Sequence, residues 1–313
     1  MRTLSHTQRR VACCAVAGFV SPDVLVLGAG GVVGEAWMTG VLAGIEDGAG
    51  ADMRDVETFV GTSAGSMVAA RLAAGRRPRR PPGPAGEPEA PIDAARGLLR
   101  TAAGWGWAAT APFASAATAL TAPGGAVLRA ALLTRAPDGG RTLSRLHAEM
   151  EGLRTRFDGR LRVCAVDKRS GRRVVFGAPG APAASIADAV TASCAIPWVF
   201  APVRIADRDY VDGGVWSVTN LDAAPARRDT QVLCLDPTAA LRSTVRQALR
   251  VAVTLELQIL RGRGARVRHV VPDEASAAVM GTDLMASAPI ASALVEGYRQ
   301  GRTLTFSPAD SGA

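Results

Sequence analysis

Three short runs in this 313-residue chain place residue types at spacings that suit acyl transfer. The first is Gly61-Thr62-Ser63-Ala64-Gly65, a GxSxG. It stands where an apolar, strand-like run gives way to a helix-like one. In that setting a sharp turn lifts a serine hydroxyl clear of the backbone, and the helix N-terminus behind it favours developing negative charge. The second run is Gly28-Ala29-Gly30-Gly31-Val32-Val33-Gly34. Its glycines let backbone amides converge on one point. In acyl transfer that point is an oxyanion hole, with Gly30 and Gly31 as donors. In dinucleotide binding it is a pyrophosphate site. Gly28, Gly30 and Gly34 also make a GxGxxxG, and Asp52 or Asp55 stands near the ~20-residue offset of a ribose-binding acid. This loop alone leaves both readings open. The third run, Asp212-Gly213-Gly214, is by itself an ordinary turn and gains meaning only beside the other two.

A nucleophilic serine needs a base within ~2.6–3.2 Å. The chain has three histidines, His6, His147 and His269. Only His269 follows Asp212, which gives the order Ser63…Asp212…His269 of an α/β-hydrolase triad. Against that order, the glycine loop follows the first strand and Ser63 comes one helix later, so the early sheet is shorter than that fold requires.

The elements that must position these residues follow from the hydrophobic pattern. Val24 to Leu27, bounded by Pro22 and the glycines, reads as a buried parallel strand. Residues 35–47 read as a helix, 56–60 as a strand running into Gly61, and 66–74 as a helix. Residues 161–166 and 174–176 read as strands, 185–194 as a helix ending before Pro197, and 203–211 as the approach to Asp212. A strand at 232–235, a long helix at 243–261 and a last helix at 288–302 complete the series. Alternating strands and helices imply an α/β fold with a mainly parallel central sheet flanked by helices on both faces. Residues 76–91 are proline- and arginine-rich and read as a flexible insertion that cannot pack. Residues 101–128 carry no charge and hold Trp105, Trp107 and Phe113. Glycine and proline breakers argue against a membrane span and for an apolar helical lid or pocket, extending to about residue 135.

Hydrophobic residues make up 48% of the chain and charged ones 20%, which excludes a wholly disordered protein and a disulfide-stapled miniprotein. The net charge is +8, and 35 of the 36 basic residues are arginine, Lys168 being the one lysine. The arginines are scattered, and aromatics are only 4% of residues, so the charge reads as compositional bias rather than a nucleic-acid surface. Its remaining expected role is a salt-sensitive attraction to an anionic membrane surface. Cys13, Cys14, Cys164, Cys194 and Cys234 form neither a CxxC pair nor a Cys/His cluster, so no metal site is expected. Arg9-Arg10 ahead of Val11–Ala17 makes residues 1–23 an extension or a signal-like segment. A cytoplasmic or peripheral membrane location is the expectation, with secretion the alternative.

Taken together, GAGGVVG at 28–34, GTSAG at 61–65 and DGG at 212–214, with ASCAIPWVFAPV at 192–203, resemble the patatin-like phospholipase family. The resemblance covers about residues 24–236. It implies a patatin-like α/β/α sandwich over residues 24–306, with a short tail at 307–313. It also implies a serine acyl hydrolase that cleaves lipid esters through a Ser63–Asp212 dyad without histidine. Gly30 and Gly31 would form its oxyanion hole, and Gly28, Gly34, Gly61, Gly65, Gly213 and Gly214 are its motif glycines. No metal or organic cofactor is implied. The dyad asks for a partly buried Asp212, because a carboxylate with a pKa near ~4 is a poor base in water. Two positions depart from the family pattern. Ala29 replaces a glycine, which requires a negative φ there, and Val33 replaces a common Arg or Lys, which favours general ester hydrolysis over anionic head groups.

Overall fold

The computed structural model describes residues 21–82, 126–135, 137–241 and 244–304. Its centre is a sheet of strands β1 (Val24–Leu27), β2 (Thr58–Thr62), β3 (Leu161–Asp167), β4 (Arg173–Phe176), β5 (Val203–Ile205), β6 (Arg208–Asp212), β7 (Gln231–Leu235) and β8 (Arg266–Val270). The order is β5-β6-β3-β2-β1-β7-β8, with β4 also paired to β3. The run β3-β2-β1-β7-β8 is parallel, whereas β4, β5 and β6 join antiparallel. The sheet is therefore mainly parallel, with an antiparallel flank that includes the β5–β6 hairpin leading to Asp212.

Among the described residues the helices are α1 (Gly31–Ala49), α2 (Ala64–Ala73), α3 (Ala126–Arg135), α4 (Ser144–Gly152), α5 (Ile186–Ser193), α6 (Thr244–Gly262), α7 (Glu274–Met280) and α8 (Ile290–Thr303). They cover both faces of the sheet. Leu25, Leu27, Phe59, Val163 and Leu233 face one layer, with α1, α2, α4, α5, α7 and α8. Val24, Val26, Val60, Cys164 and Cys234 face the other, where Leu260 of α6 and Leu221 pack. Leu133 of α3 packs there on Val166, Val211 and Val215. Burial on both faces explains why β1 is an unbroken aliphatic run.

Helix α1 begins at Gly31, four residues ahead of the start expected from its apolar stripe. The glycine loop turns directly into helix, and Gly31 takes φ +57° to do so. The helix is buried nearly all round because α8 closes its outer side at backbone contact. A Cβ on Gly44 would lie 2.2 Å from the Tyr298 carbonyl oxygen, and one on Gly301 2.2 Å from that of Val41.

Residues 76–82 correct the expectation of an insertion that cannot pack. Pro78 is buried, and Arg80 reaches back to Glu46 (3.0 Å) and Asp47 (2.7 Å) at the end of α1. Arg80 of this segment thus finds carboxylates. The rest of that segment (83–91), residues 101–125, the first 20 residues and the tail at 307–313 lie outside the described residues. Strand β8 was not expected, because its Arg266-Val267-Arg268-His269-Val270 alternation is that of a charged edge strand rather than a buried one.

Candidate active site

Ser63 occupies the turn between β2 and α2 at φ 51° and ψ −123°, a strained conformation for an L-residue. The flanking glycines make room for it. A Cβ on Gly61 would stand 2.4 Å from Ser66 Cα, and one on Gly65 2.0 Å from the Leu27 carbonyl oxygen. The turn is held by hydrogen bonds with two other serines. The Ser63 N–H donates to Ser193 Oγ (2.8 Å), whose hydroxyl donates to the Cys164 carbonyl (2.6 Å). The Ser66 hydroxyl donates to the Ser63 carbonyl (2.6 Å).

Sheet register carries Asp212 to Ser63. Thr62 pairs with Cys164, so the next residues, Ser63 and Ala165, are level, and Ala165 pairs with Asp212 across β3–β6. Both side chains are nearly buried, Ser63 at 7% and Asp212 at 3% exposure. Burial pushes the Asp212 carboxyl up to about 7, against the downward pull of its hydrogen bond with the Ser63 side chain and of the Gly214 N–H. That N–H donates to Asp212 Oδ1 at 2.6 Å. A carboxylate with this value takes protons near neutral pH far better than an exposed one does.

The glycine loop lies against both segments. The Cβ position of Gly65 would meet the Gly28 carbonyl oxygen at 2.7 Å, and that of Gly214 the Ala29 methyl at 3.7 Å. Gly213 sits on β3, where a Cβ would lie 2.2 Å from the Cys164 carbonyl oxygen. Within the loop the Gly28 N–H donates to Leu235 O (3.0 Å) and the Ala29 N–H to Val218 O (2.7 Å). The Gly30 and Gly31 N–H groups have no hydrogen-bond partner among the described residues. Pro237 packs on Gly30 and Gly34, and Leu284 and Met285 pack on Gly31, which fixes the loop's course. Ala29 avoids positive φ, so its methyl is accommodated. Val33 is buried and donates its N–H to Leu284 O (3.0 Å), so the core takes the side chain where a cation was weighed.

The histidine triad does not form. His269 lies on β8, with four strands between it and the strand of Asp212, about 24 Å at the usual spacing. Its Nε2 is 3.3 Å from Asp236 instead. His147 pairs with Asp188 at 3.0 Å. His6 lies outside the described residues. The dinucleotide reading also fails. Asp52 and Asp55 precede β2 while the glycine loop follows the parallel β1, so the acids sit at the opposite end of the sheet. Asp52 is moreover tied to Arg54.

Three residues around the site had no role assigned from the sequence. Ser193 stood within the 192–203 run that resembles the family, with no function of its own. Asn220 sits at φ 49°, with Nδ2 3.0 Å from Thr62 Oγ1 and 3.2 Å from Gly213 O, and so ties the residue before Ser63 to the residue after Asp212. Glu256 of α6 is buried. It accepts from the Thr219 hydroxyl (2.6 Å) and the Leu221 N–H (2.9 Å), which steadies the chain leaving the Asp212 turn. Cys194 Sγ lies 3.9 Å from Ser66 Oγ, and burial raises its pKa. Among the described residues no group of three or more His, Cys, Asp or Glu could hold a metal ion. None of their helices is long and apolar enough to cross a membrane.

Residues 25–225 match the profile of the family described as patatin-like phospholipase. Among solved structures, VipD from Legionella pneumophila is similar at 16% identity and a TM-score of 0.43, covering 91% of this chain and 66% of that one. The type III effector protein ExoU is similar at 16% identity and a TM-score of 0.36, covering 91% of this chain and 53% of that one. The chain thus spans less than two thirds of either. No curated protein matches the sequence.

Proposed function

The chain belongs to the patatin-like phospholipase family, and from that premise we propose that it is a serine acyl hydrolase cleaving lipid carboxylic esters through a Ser63–Asp212 dyad. Asp212 accepts the Ser63 proton as Ser63 Oγ attacks the acyl carbonyl. The Gly30 and Gly31 N–H groups hold the resulting oxyanion. Asp212 then passes the proton to the departing alcohol, leaving an acyl-enzyme. Water, deprotonated by the same carboxylate, attacks the acyl-enzyme, and collapse returns the acid and a free Ser63.

The observation that carries this reading is the meeting of a strained serine with a buried carboxyl held near 7. The two unpaired amides of the glycine loop support the oxyanion role. The absence of a cation at Val33 favours a broad ester preference within the phospholipase A type of reaction over selection of an anionic head group. Hydrolysis of a short-chain ester and of a phosphatidylcholine tests the proposal. Both activities are lost in Ser63→Ala and in Asp212→Asn, and undiminished turnover in Asp212→Asn would remove the dyad.

A further inference from the structure

We infer that the outer face of α6 is an interfacial docking ridge that rests on an anionic lipid surface beside the active site. This rests on the lipid-ester reading above and names where the lipid phase is met. Helix α6 packs inward through Val253, Glu256 and Leu260. Its outward side carries Val251, Leu255 and Ile259, exposed by 60, 48 and 44%. Their i, i+4, i+8 spacing sets them in one inclined stripe about 12 Å long. The other exposed residues between Val251 and Ile259 are the uncharged Thr254 and Gln258, and the one charged residue of that interval, Glu256, is buried. A solvated helix face puts charges here.

Charge frames the stripe. Arg250 stands at one end and Arg261 and Arg263 at the other, all exposed. Their guanidinium groups have no acidic partner among the described residues. Apolar side chains on one face with unpaired cations at its margins is the pattern of a helix lying in the plane of an anionic bilayer interface. A second copy of the chain fits less well. It would bring arginines against arginines, and three half-exposed aliphatic side chains fall far short of the ~800 Å² per partner of a stable interface.

The ridge is also well placed for the chemistry. Val253 packs against Val218, with Ala29 of the glycine loop beside them. On the other side of the Asp212 turn, α3 packs through Leu133 onto Val215 and exposes Val127, Leu128 and Leu132. The segment from Asp212 to Val218 therefore runs between two helices that each turn apolar side chains outward.

Vesicle co-sedimentation of the full chain tests the inference, with phosphatidylcholine alone compared to phosphatidylcholine mixed with phosphatidylglycerol. The wild type favours the mixed vesicles, and added salt weakens its binding. The triple substitution Val251→Ser, Leu255→Ser, Ile259→Ser lowers partition by roughly ten-fold or more. Arg250→Gln with Arg261→Gln and Arg263→Gln abolishes the preference for the anionic lipid. Both variants keep wild-type hydrolysis of a soluble short-chain ester, which also shows that they fold. Wild-type partition of the serine variant, or equal binding to both vesicles, overturns the inference. So does a wild-type dimer that the serine variant dissociates, since the ridge would then join two copies. Failure of the wild type to hydrolyse the soluble ester would instead count against the catalytic reading and leave the vesicle result to stand alone.

Discussion

The Ser63 N–H donates to Ser193 Oγ across 2.8 Å, and through Ser193 the strained turn is tied to the carbonyl of Cys164 on β3. Ser193 is fully buried, away from bulk solvent. Ser193→Ala leaves the Ser63 N–H unpaired. The fold loses about 1–3 kcal/mol, and kcat falls about ten- to a hundred-fold with little change in KM, because Ser63 loses its placement rather than its substrate. Denaturant unfolding and steady-state kinetics check both. Wild-type kcat in Ser193→Ala would mean that the turn is held without it.

Asp212 links activity to pH and to stability. Its folded value of about 7 lies above the free value of 3.8. Between those values the folded state holds a proton that the unfolded state has lost, so stability falls as pH rises through that window. Glu256, raised to about 7 by burial and the nearby Asp222, acts in the same direction. Asp212→Asn removes one of these two costs and keeps an acceptor for the Gly214 N–H. Its Tm therefore exceeds the wild type's at pH 8, and the gap narrows at pH 5. Wild-type kcat rises with pH through about 7 as the carboxylate forms. Thermal scans at the two pH values and a pH–rate profile read these effects. A lowered Tm at pH 8 would contradict a buried, ionised base.

His269 tests the class of mechanism. Its imidazole faces Asp236, far from Ser63 in the sheet. His269→Ala keeps ester hydrolysis within about two-fold of wild type, since no reacting atom is near it. Loss of turnover without loss of folding would restore the histidine triad.

The contact between α1 and α8 should tolerate no side chain. Gly301→Leu forces a Cβ to within 2.2 Å of the Val41 carbonyl oxygen, and overpacking of this kind costs about 1–3 kcal/mol or more. Urea unfolding measures it. A neutral result would mean that α8 can move away from α1 at no cost.

The legible parts of the fold were those where one residue pattern had one physical outcome. Val24–Leu27 could be little other than a doubly buried strand, and the glycines around Ser63 are required by its turn. The conjunction of the three motifs pointed to one site, although each alone was ambiguous. What stayed hidden depended on distant partners. Glu256 has unremarkable neighbours in sequence, and Ser193 was only one small residue of the 192–203 run; their roles come from Thr219, Leu221 and Ser63 across the fold. Chain order alone left His269 open as a partner of Asp212; the family resemblance implied a dyad without it, and the strand order sets His269 apart from Asp212. The packing of residues 76–82 was missed because the carboxylates that Arg80 meets lie on another element, at the end of α1.

The most direct measurement is active-site labelling by a fluorophosphonate probe, with the adduct located by peptide mass spectrometry. The dyad predicts one adduct, on Ser63. It should be absent in Ser63→Ala, strongly slowed in Asp212→Asn and undiminished in His269→Ala. An adduct on another serine, or full-rate labelling of Ser63 in Asp212→Asn, would contradict the Ser63–Asp212 mechanism.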